Sequence, residues 1–456
     1  MNDSLASVVP HIDLATVDGR AQLNALRSLL VSQSSIISPE SQRRTIELFG
    51  KPLSPKEVVA TICRDIHDHG LSALLDYTQR IDRVTVTPQT LFVSAEALAS
   101  AQKSVSSDFL DAVRRIRDNV ERFQRALLSH DVTVLLPGGG SLSQRYLPLD
   151  RVGICVPGGA AAYPSTLLMT VVPATVAGVK DILVVAPPTP FGSDNVHVLA
   201  TCHELGVTQV IRAGGAQAVA ALAYGVEGIH RVDKIVGPGN LFVALAKQLV
   251  YGHVSIDSIA GPSEIVIVAD STGNPEFIAS DMLAQAEHSP GSAILLTSSE
   301  LLADEVSKSL VRRLSSLERA DLTRDSLERY CAIVQTRTDD ESIEIANELA
   351  AEHLLIDTRD PEATLSEIRH AGAVFLGPYS PVAAGDYAAG PSHVLPTGGT
   401  ARFFAGLSAN DFLRGKSVTK LTQADLSDLA SDIKMLANTE GLTAHRRSVE
   451  ARFDNF

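Results

Sequence analysis

The sequence predicts an α/β fold with two mainly parallel sheets between helical ends, and three observations carry that expectation. From about residue 151, nine short runs rich in β-branched residues alternate with helical stretches. Such a rhythm marks βαβ units, because parallel neighbours need a crossover between them. Nine strands are many for one sheet, and the connecting loops change composition near AGPSE at 260–264, so the runs divide into two α/β domains. Residues 1 to about 130 and the last fifty carry helical patterns instead.

Each element has a local reason. Ser54-Pro55-Lys56-Glu57 is a capping box with proline at the first helical position, and Gly70 is placed to stop that helix. Leu110, Val113, Ile116, Val120 and Phe123 recur at three- and four-residue spacing and make one apolar face of a later helix. RVGICV, DILVVA, QVIRAG and DKIVG form the first group of strands, and EIVIVA, AILLT, CAIVQ, HLLID and GAVFLG the second. Active-site loops are expected at the carboxyl ends of these strands, where open α/β sheets gather ligands. Helix resumes near NDFLRG and continues to the end.

Composition excludes several classes. At 456 residues the chain is long enough for two or three cores. A formal charge of −14 argues against a general phosphate-backbone binder, which needs Lys and Arg. MNDSLASVVP lacks a basic start followed by an apolar stretch, and the longest greasy run, TLLMTVVPATVAGV, is too short to span a bilayer and contains Pro173. A cytoplasmic protein is expected. Cys63, Cys155, Cys202 and Cys331 stand singly, so any metal must use nitrogen and oxygen ligands.

The candidate chemistry lies in four clusters. Gln285 and His288 in DMLAQAEHSP are three apart and share a helix face, whereas Glu287 points elsewhere. Taken alone, such a pair is more often a solvated cap than a metal site. Glu352 and His353 in AAEHLLID sit between a helix and a strand, offering two proton acceptors suited to acid–base work near neutral pH. Asp386 and His393 fall in SPVAAGDYAAGPSHVLPTGG, where few side chains can build a core. Glu440 and His445 in NTEGLTAHRRS lie on or beside a C-terminal helix. His67 and His69 face different directions near a helix end and read as a solvated terminus. LPGGGS, VPGGAAAYP and VGPGN do not match GxGxxG, although VPGG and VGPGN follow predicted strands, where backbone can approach a ligand closely.

Taken in order, AGPSE, QAEH, EHL, GDYAAGPSHVLPTGGTARF and EGLTAH closely resemble the histidinol dehydrogenase family, from about residue 20 to the end. The resemblance implies one zinc per subunit, held by Gln285, His288, Asp386 and His445, with His445 supplied by the other subunit of a homodimer. It implies Glu352 and His353 as the catalytic pair. Ser263, His393 and Glu440 would be substrate contacts beside the zinc ligands and His353, with Glu440 again from the partner. The family's NAD contacts map onto Gln217, Asn240 and the position of Cys155, where a tyrosine is usual. The implied fold has two incomplete Rossmann-like domains, one inserted into the other. Residues 1–49 would be an N-terminal helical segment. Residues 50–153 and 264–407 would form the domain carrying zinc and catalysis, 154–263 the NAD side, and 408–456 a helical dimerisation tail that intertwines with its mate.

The reaction implied is oxidation of L-histidinol to L-histidine through the aldehyde, with two NAD reduced, as the last two steps of histidine biosynthesis. An alcohol gives up hydride readily only as its proton leaves, which assigns a base, His353. An aldehyde must add water before a second hydride can leave, which assigns Glu352. The nearest alternative is a relative acting on another small alcohol, such as a sulfonated propanediol; Glu440, His445 and His393 suit histidinol better. A zinc hydrolase would turn over without NAD, and a silent binding protein would have lost a ligand or a catalytic group.

Overall fold

The computed structural model describes residues 8–32, 39–159, 161–259, 261–288 and 290–453, and every one of the nine apolar runs forms a strand. The first residues of the expected N-terminal helical segment lie outside the described residues. In chain order the strands are β1 (His11–Asp13), β2 (Val132–Leu135), β3 (Ser141–Pro148), β4 (Arg151–Cys155), β5 (Asp181–Ala186), β6 (Gln209–Arg212), β7 (Lys234–Val236), β8 (Ser255–Ile256), β9 (Ser263–Ala269), β10 (Gly291–Thr297), β11 (Ala332–Gln335), β12 (His353–Asp357), β13 (Ala373–Leu376) and β14 (Leu413–Lys420).

They make two parallel sheets and one small antiparallel one. The first parallel sheet runs β6-β5-β4-β7-β8 and the second β1-β11-β10-β9-β12-β13. Setting β1 aside, both follow the order 3-2-1-4-5 by position in their own segment, the Rossmann-like order in which the winding reverses beside the first strand. Alternate residues of each strand enter different cores, as the pleat requires. Leu183 and Val185 join one core and Val184 and Ala186 the other; Ile265 and Ile267 are likewise separated from Val266 and Val268.

The capping box at Ser54 forms as expected, with Ser54 Oγ accepting from Glu57 N–H and Glu57 accepting from Ser54 N–H; it opens the helix Pro55–His69. Three features differ from the sequence reading. His11–Asp13 pairs with β11 as an edge strand, inside a segment read as helical. The stretch after NDF is not helix but β14, which pairs antiparallel with β3, and helices resume only at Gln423–Thr439 and Thr443–Glu450. LRGKSVTK is polar and exposed, so its pairing comes from β3 rather than from a pattern of its own. The boundary expected at residue 153 falls inside β4. Val58, Val59 and Ile62, together with Val113 and Val120, bury their helices' apolar faces in the cores of the five-stranded sheet, not those of 264–407.

The glycine loop LPGGGS is the hairpin turn between β2 and β3. Asp425 accepts from the Gly138 and Gly140 amides at 2.8 Å each, so this turn is fastened to a helix start. His67 and His69 are exposed, as expected of a solvated terminus. Among the described residues, no helix is long and apolar enough to cross a membrane.

Candidate active site

The site is built at the amino ends of β9 and β12, opposite to the carboxyl ends expected from the sequence. The reason lies in how the chain returns. The helix Pro275–Ala286, opened by Asn274 with Pro275 at its first position, runs back antiparallel to β9, so its last turn arrives where β10 begins. A Cβ on Gly291 would lie 2.0 Å from the Gln285 carbonyl oxygen; only glycine lets the helix end settle against the strand start. Gln285 is thereby buried, 3% exposed. The helix stops at Ala286, so His288 follows in the turn rather than on a shared helical face.

Glu352 and His353 are delivered by a different device. The helix Asp339–Leu349 ends on Ala350, whose φ of 49° is left-handed and carries a Cβ penalty of about 1 kcal/mol. That kink sends the chain straight into β12, and His353 is its first residue.

A continuous set of contacts links the groups. Gln285 Nε2 donates to Ser263 Oγ at 2.7 Å, and Ser263 Oγ donates to Glu352 Oε2 at 2.7 Å. The Glu264 amide donates to the same Glu352 oxygen at 3.0 Å. The Glu264 carbonyl oxygen lies 3.2 Å from His353 Nδ1. This carbonyl can only accept, so Nδ1 carries the hydrogen and Nε2 is the basic nitrogen. Nε2 lies 3.4 Å from Asp386 Oδ1, and the Asp386 carbonyl oxygen accepts from His393 Nδ1 at 2.9 Å. His288 lies within electrostatic reach of both Asp386 and His393. A cavity of about 490 Å³ opens beside Asp386 and His393, lined also by Phe375, Leu376, Tyr379 and Leu395.

Burial and charge set the protonation states. Burial pushes the Glu352 carboxyl upward, with His353 and Ser263 opposing. Burial works against the His353 charge, but Glu352 and Asp386 outweigh it and hold the imidazole at about 9. Asp386 is raised by burial yet ends below the usual carboxylate range because the His353 imidazole lies beside it, 3.4 Å away. Burial lowers His393.

Of the expected residues, the fold brings together Ser263, Gln285, His288, Glu352, His353, Asp386 and His393. Cys155, Gln217 and Asn240 lie instead at or just beyond the carboxyl ends of β4, β6 and β7. Cys155 is buried in a core, and burial pushes its thiol up to about 12. Gln217 is 1% exposed, and its Oε1 has no hydrogen-bond partner among the described residues. Asn240 caps the helix Leu241–Val250. The two regions meet: Ser392 Oγ donates to the Met169 carbonyl oxygen at 2.9 Å, and Tyr163 and Tyr387 lie within electrostatic reach. Glu440 and His445 are exposed, and among the described residues no hydrogen bond or charge interaction joins them to the cluster.

Glu264 went unassigned in the sequence, although it sits inside AGPSE. Its backbone holds both catalytic candidates, and its Oε1 accepts from the Gly398 amide at 2.9 Å. Burial pushes its carboxyl up to about 7, with Glu352 adding to the shift. A folded-state pKa above the ordinary 4.5 gives stability that is complete below pH 4.5 and lost as pH rises through 7. Comparing urea unfolding from pH 4 to 8, Glu264→Gln is therefore expected to lose less stability than the parent, by on the order of a few kcal/mol. Parallel curves for the two proteins would contradict this.

The histidinol dehydrogenase family profile matches residues 51–453. The chain belongs to the histidinol dehydrogenase family. A histidinol dehydrogenase of Rhodopirellula baltica is 55% identical over 452 residues, covering 97% of this chain and 98% of that protein. One of Geobacillus kaustophilus is 45% identical over 415 residues, covering 91% and 97%. The crystal structure of histidinol dehydrogenase from Elizabethkingia anophelis superposes with a TM-score of 0.87 at 31% identity, covering 98% of each chain.

Proposed function

We propose that this family member is a zinc-requiring, NAD-dependent dehydrogenase that oxidises L-histidinol to L-histidine through L-histidinal, reducing two NAD, as the last two steps of histidine biosynthesis. The observation that carries the reading is the linked set Gln285–Ser263–Glu352–His353–Asp386, which sets a buried base beside a candidate cation site.

Among the described residues no three His, Cys, Asp or Glu side chains group to hold a metal, but the donor types within one chain suit a cation completed from a second copy. Gln285 commits its Nε2 to Ser263, which leaves Oε1 as an electron-pair donor; Asp386 is held ionised; His288 stands close by. An amide oxygen, a carboxylate and an imidazole suit zinc without thiolate. Gln285, His288 and Asp386 would come from one chain and His445 from a second copy. When bound, zinc supplies a template for the substrate's imidazole and amino nitrogens, and its charge offsets one of the two carboxylates that keep His353 protonated. The homodimer reading is supported by apolar side chains left exposed on the three-stranded sheet and the C-terminal helices, among them Val132, Val134, Leu135, Met435 and Leu436.

His353 Nε2 takes the alcohol proton as hydride leaves the carbinol carbon for NAD. Glu352 then takes a proton from the water that adds to the aldehyde while His353 returns its proton to the aldehyde oxygen, and the neutral His353 removes the hydrate's proton as the second hydride leaves. Ser263 and His393, with Glu440 of the second copy, orient the substrate. Cys155, Gln217 and Asn240, at or just beyond the carboxyl ends of β4, β6 and β7, would hold NAD, which would supply the hydride acceptor.

The test is NADH formation from a limiting amount of L-histidinol, before and after removal of metal with a chelator and again after zinc is restored. Two NADH per substrate, lost on chelation and regained with zinc, is the expected outcome. One NADH per substrate, or full activity in the metal-free protein, would refute this reading.

A further inference from the structure

The winding of the five-stranded sheet reverses between β4 and β7, and in such sheets the crevice at the carboxyl ends of those strands receives the ligand. One wall of it is Gly237-Pro238-Gly239-Asn240, the loop leaving β7. Gly237 has φ of 105°, and a Cβ there would come within 2.3 Å of the Cys155 carbonyl oxygen. Only glycine brings this loop so close to β4.

Two charges lie against that glycine. Lys247, on the helix Leu241–Val250, and Asp257, just beyond β8, form an ion pair whose side chains are 3% and 4% exposed. Lys247 Nζ donates to the Gly237 carbonyl oxygen at 3.0 Å, and Asp257 Oδ2 accepts from the Gly237 amide at 2.7 Å. The glycine is gripped through both of its peptide groups. Asp257 Oδ1 accepts from the Ser258 amide at 2.7 Å, so the carboxylate is itself fixed. A pair this deep is a poor source of stability, because desolvation offsets its attraction. What it does supply is a fixed peptide orientation.

We propose that Lys247 and Asp257 are positioning residues for the dinucleotide, a buried clamp that holds the Gly237 loop in the shape that receives NAD. The proposal rests on the reading of NAD at this crevice and adds residues that do not touch it. Without the clamp, binding must also order the loop, and affinity falls by that cost. The clamp lies on the nucleotide side, so histidinol affinity is spared.

The experiment is NADH binding to the zinc-loaded protein, followed by fluorescence without turnover. It compares the parent, the double variant Lys247→Met with Asp257→Asn, and Asn240→Asp. The double variant removes both charges together and leaves neither buried alone. Asn240→Asp keeps an oxygen for the Phe242 and Val243 amides but puts negative charge at the loop. The double variant is expected to bind NADH about tenfold more weakly, the scale of one charge-assisted hydrogen bond, with a matching rise in KM for NAD. KM for L-histidinol should change by less than about twofold. If Asn240→Asp weakens NADH while the double variant does not, the clamp is refuted and NAD remains at this loop. If neither does, the location of NAD fails and the clamp with it. Equal rises in both KM values would mean general damage to the fold and would also refute it. Should the double variant fail to fold, Lys247→Gln with Asp257→Asn, which again removes both charges together but keeps polar side chains of similar length, is read by the same criteria.

Discussion

We expect Glu352→Gln to keep its zinc and still oxidise L-histidinol to the aldehyde level, while its oxidation of supplied L-histidinal falls by about 100- to 10,000-fold, the usual loss when a general base is removed. The expectation follows from the separate environments of the two groups. Glu352 accepts from Ser263 Oγ and the Glu264 amide, and glutamine keeps an oxygen for both bonds while losing the proton affinity. His353 has its Nε2 turned toward Asp386, which lines the cavity, so His353→Asn is expected to damage both half-reactions. The measurement is single-turnover NADH formation from each substrate at matched zinc occupancy. If Glu352→Gln crippled alcohol oxidation and spared aldehyde oxidation, the roles of Glu352 and His353 would be reversed.

Mixing two inactive proteins is expected to restore activity. Glu440 and His445 are exposed and stand apart from the cluster that holds Gln285, Asp386 and His353. In a shared-site dimer, His353→Asn carries an intact His445, and His445→Ala carries an intact His353. A heterodimer then assembles one complete site and one doubly defective one. With equal amounts and free subunit exchange, about a quarter of parental activity should return, since half the dimers are mixed and each has one good site. No recovery despite demonstrated heterodimers would mean that His445 serves its own chain or none.

Much of the fold was legible in the sequence, because it depends on local patterns. The nine β-rich runs became strands since short apolar segments bounded by turn residues have few other ways to bury themselves. The cap at Ser54 formed because its bonds close within four residues. The ligand and base candidates were visible as residue types in unusual company, and their family resemblance supplied roles. Other features required the tertiary structure, because they depend on contacts between segments far apart in the chain. His11–Asp13 and LRGKSVTK are strands only because β11 and β3 present partners. The helices of 55–127 carry apolar faces that would suit either sheet, and packing chose the five-stranded one. Above all, the sequence could name Ser263, Gln285, Glu352 and His353 but not the end of the sheet where they meet. That was decided by a helix running back antiparallel to β9 and by Gly291, whose missing side chain lets Gln285 close over the amino end of the strands.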